Sequence, residues 1–258
     1  MNETSPIPEM PPPDMSLSAR LLNILAEPAE VFDSIKAAPA RAANWFVPVM
    51  ALLIVSWLGA WIIFSQPSIK NQLSEITDQA IQRQVDRGKL TEKQAEGARQ
   101  AAEKIGGIGM KISAVGAPLF VAFGTPFWGG LIVWLAGTKA LRGQFTYMRA
   151  VEVSGLASMI AVLGEIVRVL LVVVLGNVFA APSLALVLKE PDPQSGTYAI
   201  LSLFNLFLLW ELGVRSVGLA RLSGTSFGKA AAWVFGVWAG FTGSLIGLGQ
   251  GLRLAFGG

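Results

Sequence analysis

The chain contains no histidine and no cysteine. Their absence excludes an imidazole base, a thiol nucleophile, a disulfide and any His- or Cys-ligated zinc or haem. It says nothing about redox compartment, because a missing cysteine suits both. Charge is also scarce. Asp, Glu, Lys and Arg make up 14% of the 258 residues, about half the usual share of a soluble domain. A basic start followed by an apolar core is missing too. The first 44 residues are polar, proline-rich and mixed in charge. No cleavable signal peptide is therefore expected, and the first apolar segment would serve as an uncleaved anchor.

Apolar sequence is abundant. Hydrophobic residues make up 53% of the chain, and mean hydropathy is +0.55. Residues 45–65, 112–138 and 230–252 contain no Asp, Glu, Lys or Arg. Each run is long enough to cross a bilayer as a helix. A soluble fold has too much surface to cover with so few charges. The expected class is an all-α polytopic membrane protein whose first partner is the lipid bilayer. Net charge is +3, and a pI near 9.3 is ordinary for an inner-membrane protein. It points to no nucleic-acid partner.

Composition divides the chain. Residues 1–16, with Pro6, Pro8, Pro11, Pro12 and Pro13, read as a disordered tail. Residues 17–44 read as amphipathic juxtamembrane helices, with Leu21, Leu22 and Leu25 and then Val31, Phe32 and Ile35 at helical spacing. They lie along the membrane surface or pack on the bundle. Residues 45–258 form a membrane domain of five spans, at about 45–65, 112–137, 150–176, 198–219 and 229–254. Between the first two spans, residues 66–111 read as an extramembrane helical hairpin. Gly88 supplies the turn, and Thr91-Glu92-Lys93-Gln94 matches a capping box.

Five spans put the termini on opposite sides. With the N-terminus in the cytosol, eight basic residues flank cytosolic helix ends: Lys36, Arg41, Lys139, Arg142, Arg149, Arg215, Arg221 and Lys229. The far side has Lys189 and Arg253 once the hairpin is set aside. Including Lys70, Arg99, Lys104 and Lys111 from the hairpin narrows the balance to eight against six. Positive charge favours the inside, so a cytosolic N-terminus and an outside C-terminus are expected.

The stretch Pro28-x-x-Val31-Phe32-x-x-Ile35, followed by Pro39, Trp45 and Pro48, resembles the opening of bacterial Yip1-domain proteins. Trp210, Gly218-Leu219, Ser226 and Lys229-Ala230 are similar to that family's fourth and fifth spans. The resemblance covers roughly residues 20–255. It implies five membrane helices and a cytosolic N-terminus, and a charged helical insert after the first span is common among its bacterial members. Eukaryotic relatives are associated with small trafficking GTPases. Their Asp-Leu-Tyr-Gly-Pro element is absent here, and for bacterial members the resemblance implies no settled activity.

Two motifs bear on chemistry. Gly224-Thr225-Ser226-Phe227-Gly228 matches G-x-S-x-G, but that motif works at a strand-to-helix elbow with a histidine base. Ser226 with Lys229 also has the spacing of a Ser-Lys dyad, without its companion motifs. Both read more simply as the start of the fifth helix, with Ser226 as N-cap. No cofactor, metal-ligand cluster, phosphate loop or catalytic residue is expected.

The charges inside the spans say more. Glu165 and Arg168 are i,i+3 and Glu211 and Arg215 are i,i+4, so each pair meets on its own helix. A charge at the bilayer centre costs ~2.5–3.5 kcal/mol on insertion scales, so such groups face protein or water. One reading is a polar site between the third and fourth spans, with Asn205 and Glu152, for an ion or lipid headgroup. The other is two structural ion pairs, favoured because both carboxylates have a same-helix partner. Gly236, Gly240, Gly243, Gly247 and Gly251 line one face of the fifth span. Small residues there let another backbone approach, from the same chain or from a second copy.

A non-enzymatic scaffold of Yip1 type, organising membrane or protein partners, is the leading reading. Homo-oligomers or partners would use the fifth helix or the hairpin. The alternative is a small transporter or channel using the Glu/Arg pairs.

Overall fold

The computed structural model describes residues 15–189, 192–193 and 195–256, without the side chains of 103–108, 110, 111, 250 and 252–256. The proline-rich stretch over 1–14 lies outside the described residues. The regular elements among the described residues are all helical, with one isolated bridge between Ser183 and Asn205.

Local signals explain where the first helices start and stop. Ser16 caps α1 (Leu17–Asn23), its Oγ accepting the Ala19 N–H. Pro28 opens α2 (Pro28–Ala37) with Glu30 in its first turn, where a missing N–H costs nothing and a carboxylate suits the positive helix end. The apolar side of α2 is turned onto the bundle: Val31, Phe32 and Ile35 have no exposed surface. Next comes α3 (Ala43–Ser65), then α4 (Pro67–Asp86). Gly88 holds φ +68 in the turn after α4, and Thr91 and Gln94 form both arms of a capping box at the start of α5.

Among the described residues four helices are long and apolar enough to cross a membrane: Ala43–Ser65, Ile112–Ala140, Tyr147–Leu175 and Phe227–Gly249. The second belongs to a longer element. Helix α5 runs unbroken from Glu92 to Leu135, about 66 Å by helical rise. The sequence reading ended one helix near residue 111 and began another. Instead the glycines around Gly109 are carried within one helix, which continues into a π-helical turn over Ala136–Ala140. Arg99 Nη2 donates to Gln82 Oε1 at 2.8 Å, joining α5 to α4.

Helix α6 (Tyr147–Leu175) is the centre of the bundle. Thr146 caps its start, and Gly176 ends it in the left-handed conformation. Close approach comes from missing side chains. A Cβ on Gly155 would stand 2.3 Å from Trp45 Cβ on α3, and one on Gly130 of α5 would stand 3.0 Å from the Val151 backbone.

The run over 198–219, read from sequence as one continuous span, is broken. It forms α7 (Gly196–Leu203) and α8 (Leu206–Ser223). Asn205 causes the break: its Oδ1 accepts the N–H groups of Phe207 and Leu208 at 3.0 and 3.2 Å. The backbone groups released there are taken up by the preceding loop. Leu206 N donates to Pro182 O at 3.0 Å, and Leu184 N donates to Phe204 O at 3.2 Å. Non-helical backbone among apolar helices needs such internal partners. Gly224 ends α8 at φ +64, and α9 (Phe227–Phe256) follows at the edge.

The main core joins α2, α6 and α8 through Phe32, Leu156, Ile160 and Leu219. A second cluster joins α3 to α6, and a third, with Ile63, Ile69 and Val172, closes the opposite end.

Candidate functional site

Two groups of polar side chains sit within the bundle, at different heights along α6. The first surrounds Glu152, which is 1% exposed. Its Oε1 accepts Asn44 Nδ2 and the Arg41 backbone N–H, both at 2.7 Å. Its Oε2 accepts Arg149 Nη1 at 2.7 Å. The other arm of Arg149 donates to the Ala38 carbonyl. Arg20, equally buried, donates from Nη1 to Asn44 Oδ1 at 3.5 Å and from Nε to Ser34 Oγ at 3.2 Å. One carboxylate thus fixes the link between α2 and α3 and, through Asn44, reaches α1.

The sequence reading grouped Glu152 with Glu165 and Glu211. The structure separates them. Glu152 and Glu165 are thirteen residues apart on α6, about 20 Å by helical rise. No polar side chain spans that distance. Arg20 and Asn44 are absent from the sequence-based site, and Arg149 enters the sequence reading only as a basic residue flanking a helix end. The i,i+3 spacing of Arg149 and Glu152 is the signal that drew attention to Glu165 and Arg168, and it would have found this pair too. Arg20 and Asn44 carry no such local mark.

The second group is the expected one between α6 and α8. Arg168 meets Glu165 through both nitrogens of a fork, Nε to Oε2 at 2.7 Å and Nη2 to Oε1 at 2.6 Å. Arg215 Nη2 meets Glu211 Oε1 at 2.5 Å. Glu165, Arg168, Asn205 and Glu211 line one cleft of about 280 Å³, together with Ser202 and Phe207. Asn205 is committed there as the α8 cap. Arg215 points away from the cleft toward α5. A Cβ on Gly129 would lie 2.8 Å from its Nη1 and 3.0 Å from Ser154 Oγ. Arg215 Nε and Ser154 Oγ are both buried without a hydrogen-bond partner among the described residues. The two ion pairs differ in exposure. Arg215 and Glu211 side chains are 11% and 8% exposed, against 35% and 17% for Arg168 and Glu165.

The glycine face of α9 meets no other element among the described residues. Among the described residues no atom comes within 4 Å of a Cβ placed at Gly236, Gly240, Gly243, Gly247 or Gly251. A partner helix from the same chain, one of the two readings of that face, is therefore absent among the described residues. The cause is position: α9 packs on α8 with its other side and leaves the glycines outward.

Ser226 lies immediately before α9, and its carbonyl accepts the Ala230 N–H at 3.2 Å. It is exposed, as is Lys229. The preceding segment is helix α8 and its Gly224 terminus, so the strand-to-helix elbow needed by a hydrolase nucleophile is not built. Among the described residues no group of acidic side chains could hold a metal ion.

Comparison with known proteins bears on most of the chain. The family model for the Yip1 domain matches residues 22–248, from α1 to near the end of α9. No curated protein matches the chain, and no solved structure matches it.

Proposed function

The chain belongs to the Yip1-domain family, and on that premise we propose that it is a non-enzymatic integral membrane protein organising partner proteins or the bilayer around it. The observation that supports this best is where its polar side chains are spent. Glu152 holds the α2–α3 link, and Glu165 and Glu211 each hold an arginine of their own helix. These groups are spent on fixing helices. What remains for function is surface: α1 and α2, the α4–α5 helices and the outward glycine face of α9.

The topology we propose has five crossings. The broken pair α7 and α8 supplies the fourth, between α6 and α9. Its three charges, Glu211, Arg215 and Arg221, lower its hydropathy, but the first two are paired and Arg221 lies at its end. The N-terminus is then cytosolic, the C-terminus and the α4–α5 turn lie outside, and the membrane is a bacterial inner membrane. Partners or a second copy would use α9 or α4–α5.

A second reading is a small transporter or channel. The cleft that gathers Glu165, Arg168, Asn205 and Glu211 favours it, since intramembrane ionisable groups commonly mark ion or substrate paths. Crosslinking in native membranes followed by pull-down tests the first reading. Discrete protein partners crosslinked through α4–α5 or α9 support it. Wild-type protein that crosslinks to nothing, yet moves ions in proteoliposomes, favours the second.

A further inference from the structure

A groove of about 390 Å³ runs between α5 with its π-helical turn and α9. Its walls are matched in an antiparallel sense. One wall carries Trp128, Leu131 and Leu135 and ends at Lys139. On α9, Lys229, Trp233, Val237 and Phe241 follow at steps of four, which keeps them on one helix face, and Trp233 and Val237 line the groove. Trp128 and Phe241 meet with ring centroids 5.5 Å apart, closing the groove at the end away from the lysines. From Trp128 to Lys139 is about 16 Å and from Phe241 to Lys229 about 18 Å by helical rise, close to one leaflet of a ~30 Å hydrocarbon core.

Both lysines are exposed, and neither makes an ion pair or hydrogen bond among the described residues. No Asp or Glu lines the groove. Lys139 sits on the π-helical turn, a distortion often found at functional sites. We infer that the α5–α9 groove binds a single phospholipid with a net negative headgroup. One acyl chain lies along the tryptophans, and the phosphate sits between Lys139 and Lys229. A zwitterionic lipid would fit the walls but would leave two cations less well balanced. A protein helix would need to bring its own acidic groups to the same end.

The test uses the full chain, purified in detergent and titrated with dioleoylphosphatidylglycerol, dioleoylphosphatidylcholine or inorganic phosphate, with bound lipid counted by native mass spectrometry. The expected result is one tightly held phosphatidylglycerol, preferred over phosphatidylcholine. The double substitution Lys139→Gln with Lys229→Gln should weaken it about 30-fold, from the typical worth of a surface lysine toward anionic lipid. The Lys139→Arg with Lys229→Arg protein should keep it, and Val237→Trp, which fills the groove, should release it. Should Val237→Trp fail to fold, the exposed lysine variants still decide. The inference is overturned by equal retention in the double Gln variant, by no preference over phosphatidylcholine, or by inorganic phosphate displacing the lipid. It is also overturned if Val237→Trp breaks a dimer while leaving lipid binding unchanged.

Discussion

Asn44 and Glu152 are 108 residues apart in sequence, each is 1% exposed, and their side chains meet at 2.7 Å. That contact, donated by Asn44 Nδ2, joins the start of α3 to the start of α6, and the other atom of the amide, Oδ1, accepts from Arg20 of α1. A buried carboxylate is costly unless it is paired and hydrogen-bonded. Here one charged and two neutral donors from three different segments meet it, so the cost of burial becomes a constraint on how α1, α2 and α3 sit on α6.

Glu152→Leu should therefore destabilise strongly. It strands Arg149, the Arg41 N–H and Asn44 in a buried site. Removing one member of such a set costs ~3–5 kcal/mol. Glu152→Gln keeps an acceptor for Asn44 and should cost less. Thermal melts in detergent should rank them wild type, Gln, Leu. A Leu variant as stable as the wild type would remove the constraint from the account.

Phe32 is the apolar counterpart of that anchor. It is fully buried and lies 3.2 Å from where a Cβ on Gly218 of α8 would stand. Phe32→Ala should cost ~3–5 kcal/mol and loosen α2 before the rest. Limited proteolysis checks this: cleavage near residues 24–28 should quicken while α6 stays protected. Gly218→Ala should also destabilise, but chiefly at the α6–α8 contact, because its Cβ would stand 2.3 Å from Val153 Cγ1 of α6 and only then 3.2 Å from Phe32.

Ser226 is expected to be inert. A serine-directed activity probe should not label the protein. Labelling that vanishes in Ser226→Ala would restore the hydrolase reading.

Reporter fusions test the crossing number. Fusions at Gly88 and at the C-terminus should both report the non-cytosolic side. A cytosolic signal from the C-terminal fusion, with Gly88 outside, means that α7 and α8 do not cross and that four spans are used.

What could be read in the sequence was local. The capping box at Thr91 and Gln94 involves neighbours three residues apart, and so does the Glu165–Arg168 pair. Pro28 with Val31, Phe32 and Ile35 marked α2 by composition and spacing alone. The break at Asn205 was harder. Within an apolar run an asparagine reads either as a polar site or as a cap, and the choice depends on whether the loop at Pro182 and Leu184 is near enough to take up the released backbone groups. Placing Glu152 needed depth as well as periodicity. Helical spacing puts residues on a face, but only counting rise along α6 separates Glu152 from Glu165. Arg20 and Asn44 were illegible because their partners lie far away in sequence. The outward glycine face of α9 was unreadable for the same reason, since in a span that is apolar on every side the pattern does not say which side the bundle covers.

The central claim is that the intramembrane charges serve packing and not passage. The Glu211–Arg215 pair tests it most directly, being the more buried of the two on α6 and α8. Glu211→Leu alone leaves Arg215 without its carboxylate and should cost ~3–5 kcal/mol, whereas Glu211→Leu with Arg215→Met removes both charges and should cost far less. The same substitutions at Glu165 and Arg168 should show a smaller contrast, because solvent or headgroups screen that pair. The deciding measurement is thermal melting of the single and double variants beside a proteoliposome flux assay. The account predicts a double variant more stable than the single, and no ion flux in either it or the wild type. Flux in the wild type that disappears in a well-folded double variant would contradict the account and put a transport path through the cleft.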